Sequence, residues 1–183
     1  RRSGHDGRGD PHTVITMAEI DPVLALALRA CMALLFAGAA LHKLGDPMAF
    51  RSVLSDYRLV PDGLVMPIAW ATGVGELLLA VAFLLPAAGL LPALAAAVLL
   101  TVYSCAIAIN LLRGRRDLDC GCGGPPQRLH PGLVGRNLAL MAMGLLACAP
   151  INARQLEWLD GLSFTGTVAC ASLLWAASNR LMS

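Results

Sequence analysis

Four stretches of this chain, 23–44, 67–85, 90–112 and 133–149, are apolar almost without interruption. A helix needs about 20 apolar residues to cross the hydrocarbon core of a bilayer, so the first three suffice and the fourth is slightly short. A fifth stretch, 161–177, is weaker, being rich in Ser, Thr and small residues. Inside lipid every backbone N–H and C=O must be satisfied by the protein itself, which leaves helices or a closed barrel. The runs show none of the alternation of barrel strands. The expected fold is all-α, a polytopic membrane four-helix bundle with a fifth transmembrane helix. Composition agrees, with 14% charged residues against about 25% in soluble domains.

Asp and Pro punctuate these runs. Asp21-Pro22 opens the first, Pro86 closes the second, Pro92 falls in the first turn of the third and Pro150 follows the fourth. Asp46-Pro47 opens a different element over 48–59. Phe50, Val53, Leu54 and Tyr57 fall there at helical spacing, with Arg51, Asp56 and Arg58 between them. It reads as a short interfacial amphipathic helix or as an ordinary polar loop helix. Residues 17–183 are expected to form a single membrane domain. Residues 1–16 are polar and lack the apolar core of a signal peptide. They read as a disordered tail or a cloning remnant, with Met17 as the start.

A net charge of +2 and the lack of basic tracts interleaved with aromatics argue against a nucleic-acid partner. Basic residues cluster in two loops: Lys43, Arg51 and Arg58 after the first span, and Arg113, Arg115, Arg116, Arg128 and Arg136 around the loop after the third. The positive-inside rule places both loops on the cytoplasmic side of the cell membrane.

Ionisable groups inside spans are costly and point to function. Glu76 lies near the middle of span two and Arg29 in span one. Helix direction brings His42, Lys43, Asn110, Arg136 and Asn137 toward one membrane face. Counted from Pro67, Glu76 lies about 13 Å deeper, at 1.5 Å per residue. These six form a candidate polar site facing a lipid quinone or a protein partner. The competing structural readings are a Glu76–Arg ion pair that fixes helix register, and Arg136 and Asn137 capping span four.

The same face carries Asp119-Cys120-Gly121-Cys122-Gly123-Gly124. Four of the six cysteines (Cys31, Cys105, Cys148, Cys170) lie in apolar runs, where free Cys acts as a small hydrophobe. Cys120 and Cys122 lie in a polar loop. A CxC disulfide closes a small ring that resists ideal torsions, which makes it comparatively oxidising. Gly121 relieves part of that strain. Arg115 and Arg116 would favour a thiolate, while Asp117 and Asp119 would oppose it. Three readings stay open: a thiol–disulfide oxidoreductase pair, a soft-metal site for an ion such as Cu(I) with only His130 and Asp119 nearby, and a structural loop. At the level of the whole protein these correspond to redox exchange with a quinone or thioredoxin-like partner, a metal or solute carrier, and a docking chaperone.

An ordered series of short motifs runs through the chain: Leu41-His42-Lys43-Leu44, Phe50, Tyr57-Arg58-Leu59-Val60-Pro61, Glu76, Asn110-Leu111-Leu112-Arg113-Gly114-Arg115, Asp119 to Gly124, and Val134-Gly135-Arg136-Asn137. It resembles the methylamine utilisation protein MauE family, a DoxX-like group of multi-pass membrane proteins, over roughly 23–150. The resemblance implies a role in maturing the disulfide-rich β subunit of methylamine dehydrogenase beside a thioredoxin-like partner, MauD. Two features depart from the family: Gly123 stands where an aromatic often follows the second cysteine, and Pro125-Pro126 is unusual. The implied substrate lies outside the cytoplasm, whereas the charge count puts the CxC loop inside.

Overall fold

The computed structural model describes residues 20–85, 89–122, 127–152 and 154–182. Residues 1–16 and the segment 123–126, with its Gly123 and Pro125-Pro126 departures, lie outside the described residues. The chain forms α1 (Pro22–Gly45), α2 (Pro47–Asp56), α3 (Asp62–Leu84), α4 (Leu91–Leu112), α5 (Pro131–Ala147) and α6 (Trp158–Met182). No strand forms among the described residues; Ile20 and Ile151, and Asp119 and Arg128, make isolated bridges.

Helix starts follow local chemistry. Asp21 accepts a hydrogen bond from the Val23 N–H at 2.8 Å and caps α1, with Pro22 at the first position. Asp46 does the same for α2 through the Ala49 N–H at 2.9 Å. His130 caps α5, its Nδ1 accepting from the Gly132 N–H at 3.1 Å. Pro67 does not start a helix as its position in the sequence suggested. α3 begins five residues earlier at Asp62, and Pro67 lies inside it. The carbonyl its ring would crowd belongs to Gly63, whose missing side chain leaves room to adjust.

The division into long and short spans also differs from expectation. α6, the weaker run, continues to Met182 and is long and apolar enough to cross a membrane, as are α1, α3 and α4. α5 ends at Ala147, after 17 residues. That is about 25 Å of helix, short of a hydrocarbon core of about 30 Å. Arg29 compensates for the short end: its Nε donates to the Ala147 carbonyl at 2.9 Å. A cation here satisfies an orphan carbonyl and complements the helix dipole. This gives the intramembrane Arg29 a structural explanation.

α1 and α3 pack side by side along much of their length. Gly73 lets them approach, since a Cβ there would meet Leu44 Cδ2 at 2.8 Å. Their register stacks Phe36 on Phe83 at 6.1 Å between ring centroids, in a core shared with Met32, Leu79, Leu100 and Leu140. Outward leucines and valines such as Leu78, Val98 and Leu174 are more than half exposed, the pattern of a lipid-facing surface. The same register carries the first turns of α3 past the end of α1. α2 packs against α3 there, and the loop after α4 tucks beneath α2.

Candidate functional site

The loop from Arg113 to His130 folds back on itself through Asp119. Its Oδ1 accepts from the N–H groups of Gly121 and Gln127, each at 3.2 Å, and the Cys120 N–H donates to the Gln127 carbonyl at 2.9 Å. Gly121 is required twice over. Its φ is +64°, and a Cβ would meet Val53 Cγ1 at 3.0 Å and Phe50 Cε2 at 3.2 Å. α2 therefore roofs the CxC pair. Tyr57 closes the roof by donating from its hydroxyl to the Cys120 carbonyl at 3.2 Å. Burial pushes its phenol well above the ordinary range, so it stays a donor.

The two thiols are not equivalent. Cys120 is pulled down to about 7, chiefly by the Cys122 thiol acting as hydrogen-bond donor. The Cys122 backbone N–H, 3.3 Å from the Cys120 sulfur, and the Arg136 cation reinforce this against burial and Asp119. Cys122 is driven well above the thiol range by that same hydrogen bond and by burial, opposed by Arg136 and Lys43. The directions differ across the pair, Cys120 drawn toward thiolate and Cys122 toward thiol, and the Cys122 Sγ reaches the Cys120 carbonyl at 3.6 Å.

Beneath the dithiol lies a sealed polar cluster. Lys43 from α1 and Glu76 from α3 form an ion pair, with side chains 1% and 2% exposed. Tyr103 from α4 donates to Glu76 Oε1 at 2.8 Å and accepts from Lys43 Nζ at 3.4 Å. The Lys43 ammonium lies 5.1 Å from the Phe50 ring centroid and 5.0 Å from that of Tyr103, at cation–π range. Glu76 Oε2 is buried and has no hydrogen-bond partner among the described residues. Glu76 lies about 21 Å along α3, deeper than the count from Pro67 suggested. Yet its partner Lys43 is only two residues from the end of α1, because α3 overshoots α1.

Some of the sequence-predicted residues join this site and others do not. Cys120, Cys122, Lys43 and Glu76 come together around Phe50. Arg136 joins through its field on both thiols. It also donates to Gln127 Oε1 at 3.3 Å and stacks 5.0 Å over Trp175. Asn137 is buried between helices, donating to Ser104 Oγ at 3.1 Å. Asn110 is buried at the end of α4, where it accepts from Arg115 at 3.3 Å and donates to the Ala106 carbonyl. His42 is exposed. The cations acting on the thiols are Arg136 and, at Cys122, Lys43, rather than Arg115 or Arg116, and the partner of Glu76 is a lysine rather than an arginine. His130 spends its Nδ1 on a helix cap. No group of three or more His, Cys, Asp or Glu that could hold a metal ion occurs among the described residues.

Sequence reasoning missed Tyr103, Gln127 and the roofing role of Tyr57. A signal was present: the chain has only two tyrosines, Tyr57 and Tyr103, and both sit at this site.

Comparison with known proteins agrees with this architecture. The family model described as methylamine utilisation protein MauE matches residues 21–150. A protein named methylamine utilization protein MauE from Paracoccus denitrificans is 41% identical over 168 residues, covering 88% of this chain and 89% of that one. A namesake from Methylorubrum extorquens is 42% identical over 86% of this chain and 87% of its own. One from Paracoccus versutus is 44% identical over 74% of each. No solved structure matches. The site residues from Lys43 to Asn137 all fall within the matched segment, and the chain belongs to the MauE family of multi-pass membrane proteins involved in methylamine utilisation.

Proposed function

We propose that this protein acts in the cytoplasmic membrane as a thiol–disulfide exchange protein that matures the methylamine dehydrogenase β subunit or a similar disulfide-rich partner. The observation that carries this reading is the pair of free thiols one residue apart under the α2 roof, with the Cys122 N–H 3.3 Å from the Cys120 sulfur and Cys120 drawn toward thiolate. Exchange proceeds by thiolate attack and a mixed disulfide, which needs one such sulfur and a second to resolve it. In the oxidised state the pair accepts two electrons and two protons from two substrate thiols, leaving the substrate a disulfide and Cys120 and Cys122 reduced. A disulfide on a thioredoxin-like MauD-type partner then takes those electrons. A lipid quinone fits the polar residues less well, because Lys43, Glu76, Asn110 and Asn137 are buried and bonded to one another and to their neighbours.

The dithiol faces the compartment where the substrate matures. Lys43, Arg115 and Arg136 are fixed by the site's own interactions, so their positions report the site rather than loop orientation. The test expresses Cys120→Ser and Cys122→Ser variants beside the β subunit and reads its disulfides by mass spectrometry. Each variant is expected to leave the subunit incompletely bridged. Unchanged bridging in both would falsify the exchange reading. Labelling of Cys120 by a membrane-impermeant maleimide on intact cells checks the orientation.

A further inference from the structure

The register that carries α3 past α1 at the dithiol end leaves α3 short at the other. Phe83, next to the last residue of α3, stacks on Phe36, which lies about 21 Å along α1. The first turns of α1 therefore stand clear of α3. α6 comes beside them, held by the Arg154 bridge from Asp21 to Asp160. Between α1, α6 and the end of α3 lies a cavity of about 350 Å³, within the range of small-ligand sites. Phe83 and Leu84 floor it, and Leu26 and Arg29 belong to the α1 wall. The opposite wall carries Glu157, Asp160, Gly161 and Phe164, spaced as neighbours on one helix face. Leu26, Leu84 and Leu156 are 45%, 63% and 56% exposed, so the cavity is open at its rim.

A guanidinium carries five N–H donors. Arg29 gives its Nε to the Ala147 carbonyl, and its two terminal nitrogens have no partner among the described residues. The Nε bond holds the side chain about 10 Å from the start of α1 and keeps it from snorkelling outward. A cation at such depth is costly and calls for an acceptor. The mouth has the opposite sign. Arg154 takes both Asp160 oxygens, but the exposed Glu157 carboxylate has no partner among the described residues. Helical side chains lean toward the N-terminus of their helix, which sets the Arg29 guanidinium between the mouth and the floor. From the mouth inward the cavity thus offers a carboxylate, a guanidinium and an apolar floor. A phospholipid with an amine head has the matching order: ammonium, phosphate, acyl chains. We propose that this cavity binds one phosphatidylethanolamine. Its phosphate accepts from the terminal nitrogens of Arg29, its ammonium donates to Glu157, and its chains pass over Phe83 and Leu84 into the bilayer. An anionic phospholipid without an amine meets Glu157 with nothing to offer it. A choline head brings the charge but no N–H. The bound lipid fills the space that the short α3 leaves and ties α6 to α1. The site lies at the opposite end from the dithiol and does not depend on the exchange reading.

The test uses delipidated full-length protein in detergent micelles. Dioleoyl phosphatidylethanolamine, phosphatidylcholine or phosphatidylglycerol is added at equal concentration, and native mass spectrometry counts the lipids retained per chain. The wild type should hold one phosphatidylethanolamine, on the order of ten-fold more tightly than phosphatidylglycerol, the scale of one charge-assisted hydrogen bond. Glu157→Gln should remove most of that preference, because the phosphate contact to Arg29 remains. Arg29→Lys keeps a donor for the Ala147 carbonyl but loses the fork, and should weaken retention of all three lipids. Gly161→Leu tests the cavity without touching either charge. A Cβ at Gly161 meets nothing within 4 Å, so the larger side chain fits and occupies the space. It should lower phosphatidylethanolamine retention on the order of ten-fold while the lipid-free thermal midpoint stays in place. If that midpoint falls, the selectivity of Glu157→Gln decides instead. Equal retention of phosphatidylethanolamine and phosphatidylglycerol by the wild type overturns the proposal, as does undiminished retention in a stable Gly161→Leu. Displacement of the lipid by excess soluble phosphoethanolamine would also overturn it, by showing that the chains contribute nothing.

Discussion

The two ends of the helical assembly each carry an ionic cluster, and the two are built on opposite principles. At the end away from the dithiol, Arg154 joins Asp21, the cap of α1, to Asp160 in the first turn of α6. Its Nε donates to Asp21 at 2.9 Å, and its two terminal nitrogens each reach an Asp160 oxygen at 2.8 Å. The side chains are 38%, 46% and 18% exposed, so water shares the work. At the dithiol end, Lys43 and Glu76 have almost no exposure, and one carboxylate oxygen has no partner among the described residues. The exposed cluster satisfies every group it uses and pins two helix starts together. The buried one leaves Glu76 Oε2 without a partner among the described residues, and burying such an ion pair is weak evidence of stabilisation.

The sharpest way to break this contrast is to remove one member of the buried pair. Glu76→Ala strands the Lys43 ammonium without a counter-ion and should cost roughly 3–5 kcal/mol of stability. Replacing both, as Lys43→Met/Glu76→Leu, should restore stability to near the wild type or above it, since neither desolvation penalty then remains. Unfolding titrations in mixed micelles read both. If the double variant were as unstable as the single one, the pair would be a structural element and the contrast would vanish.

A second effect, of intermediate size, lies in the dithiol itself. Cys120 at about 7 is roughly half thiolate at neutral pH, so its alkylation should rise through pH 7 and level off above 8. The lowered value owes most to the Cys122 donor. Cys122→Ala removes that donor, and the Cys120 profile should move to higher pH, toward the ordinary thiol value. At pH 7 the rate should fall on the order of ten-fold. A profile that stays in place would assign the thiolate to the backbone N–H at position 122 and to Arg136, both of which the variant keeps.

The chain reveals unequal parts of this design. Span count and the caps Asp21 and Asp46 were legible because length, apolarity and capping are local properties. The ranking of 133–149 above 161–177 was not. Local apolarity cannot show that Arg29, more than a hundred residues away, finishes a short α5. Within the site, Lys43, Glu76 and the cysteines stood out as charge or thiol in apolar company. Which residue pairs with which depends on the α1–α3 register, set by contacts such as Leu44 on Gly73. Hence the pairing of Glu76 with Lys43 was hidden, and so was Tyr103, whose ring looks like ordinary core. Arg115 and Arg116 were nearest in sequence to the thiols. The Asp119 turn and the bridge to Arg128 swing α5 back so that Arg136 acts on them instead.

The smallest expected effect completes the comparison from the exposed end. Arg154→Ala removes a cation whose partners remain hydrated, so no charge is stranded in a dry interior. Asp21 keeps its cap to Val23, and Asp160 keeps the Glu157 N–H at 2.8 Å. The loss should be a slight fall in thermal midpoint, well below that of Glu76→Ala. It should shrink further as salt rises, because exposed ions are screened within about 10 Å at 0.1 M. Salt should leave the Glu76→Ala loss almost unchanged, since ions do not reach the sealed pair. Thermal melts of the two variants at low and high salt read both halves. Equal salt dependence would mean that the Lys43–Glu76 pair is open to solvent, and the division between a satisfied surface clasp and a sealed buried pair would not hold.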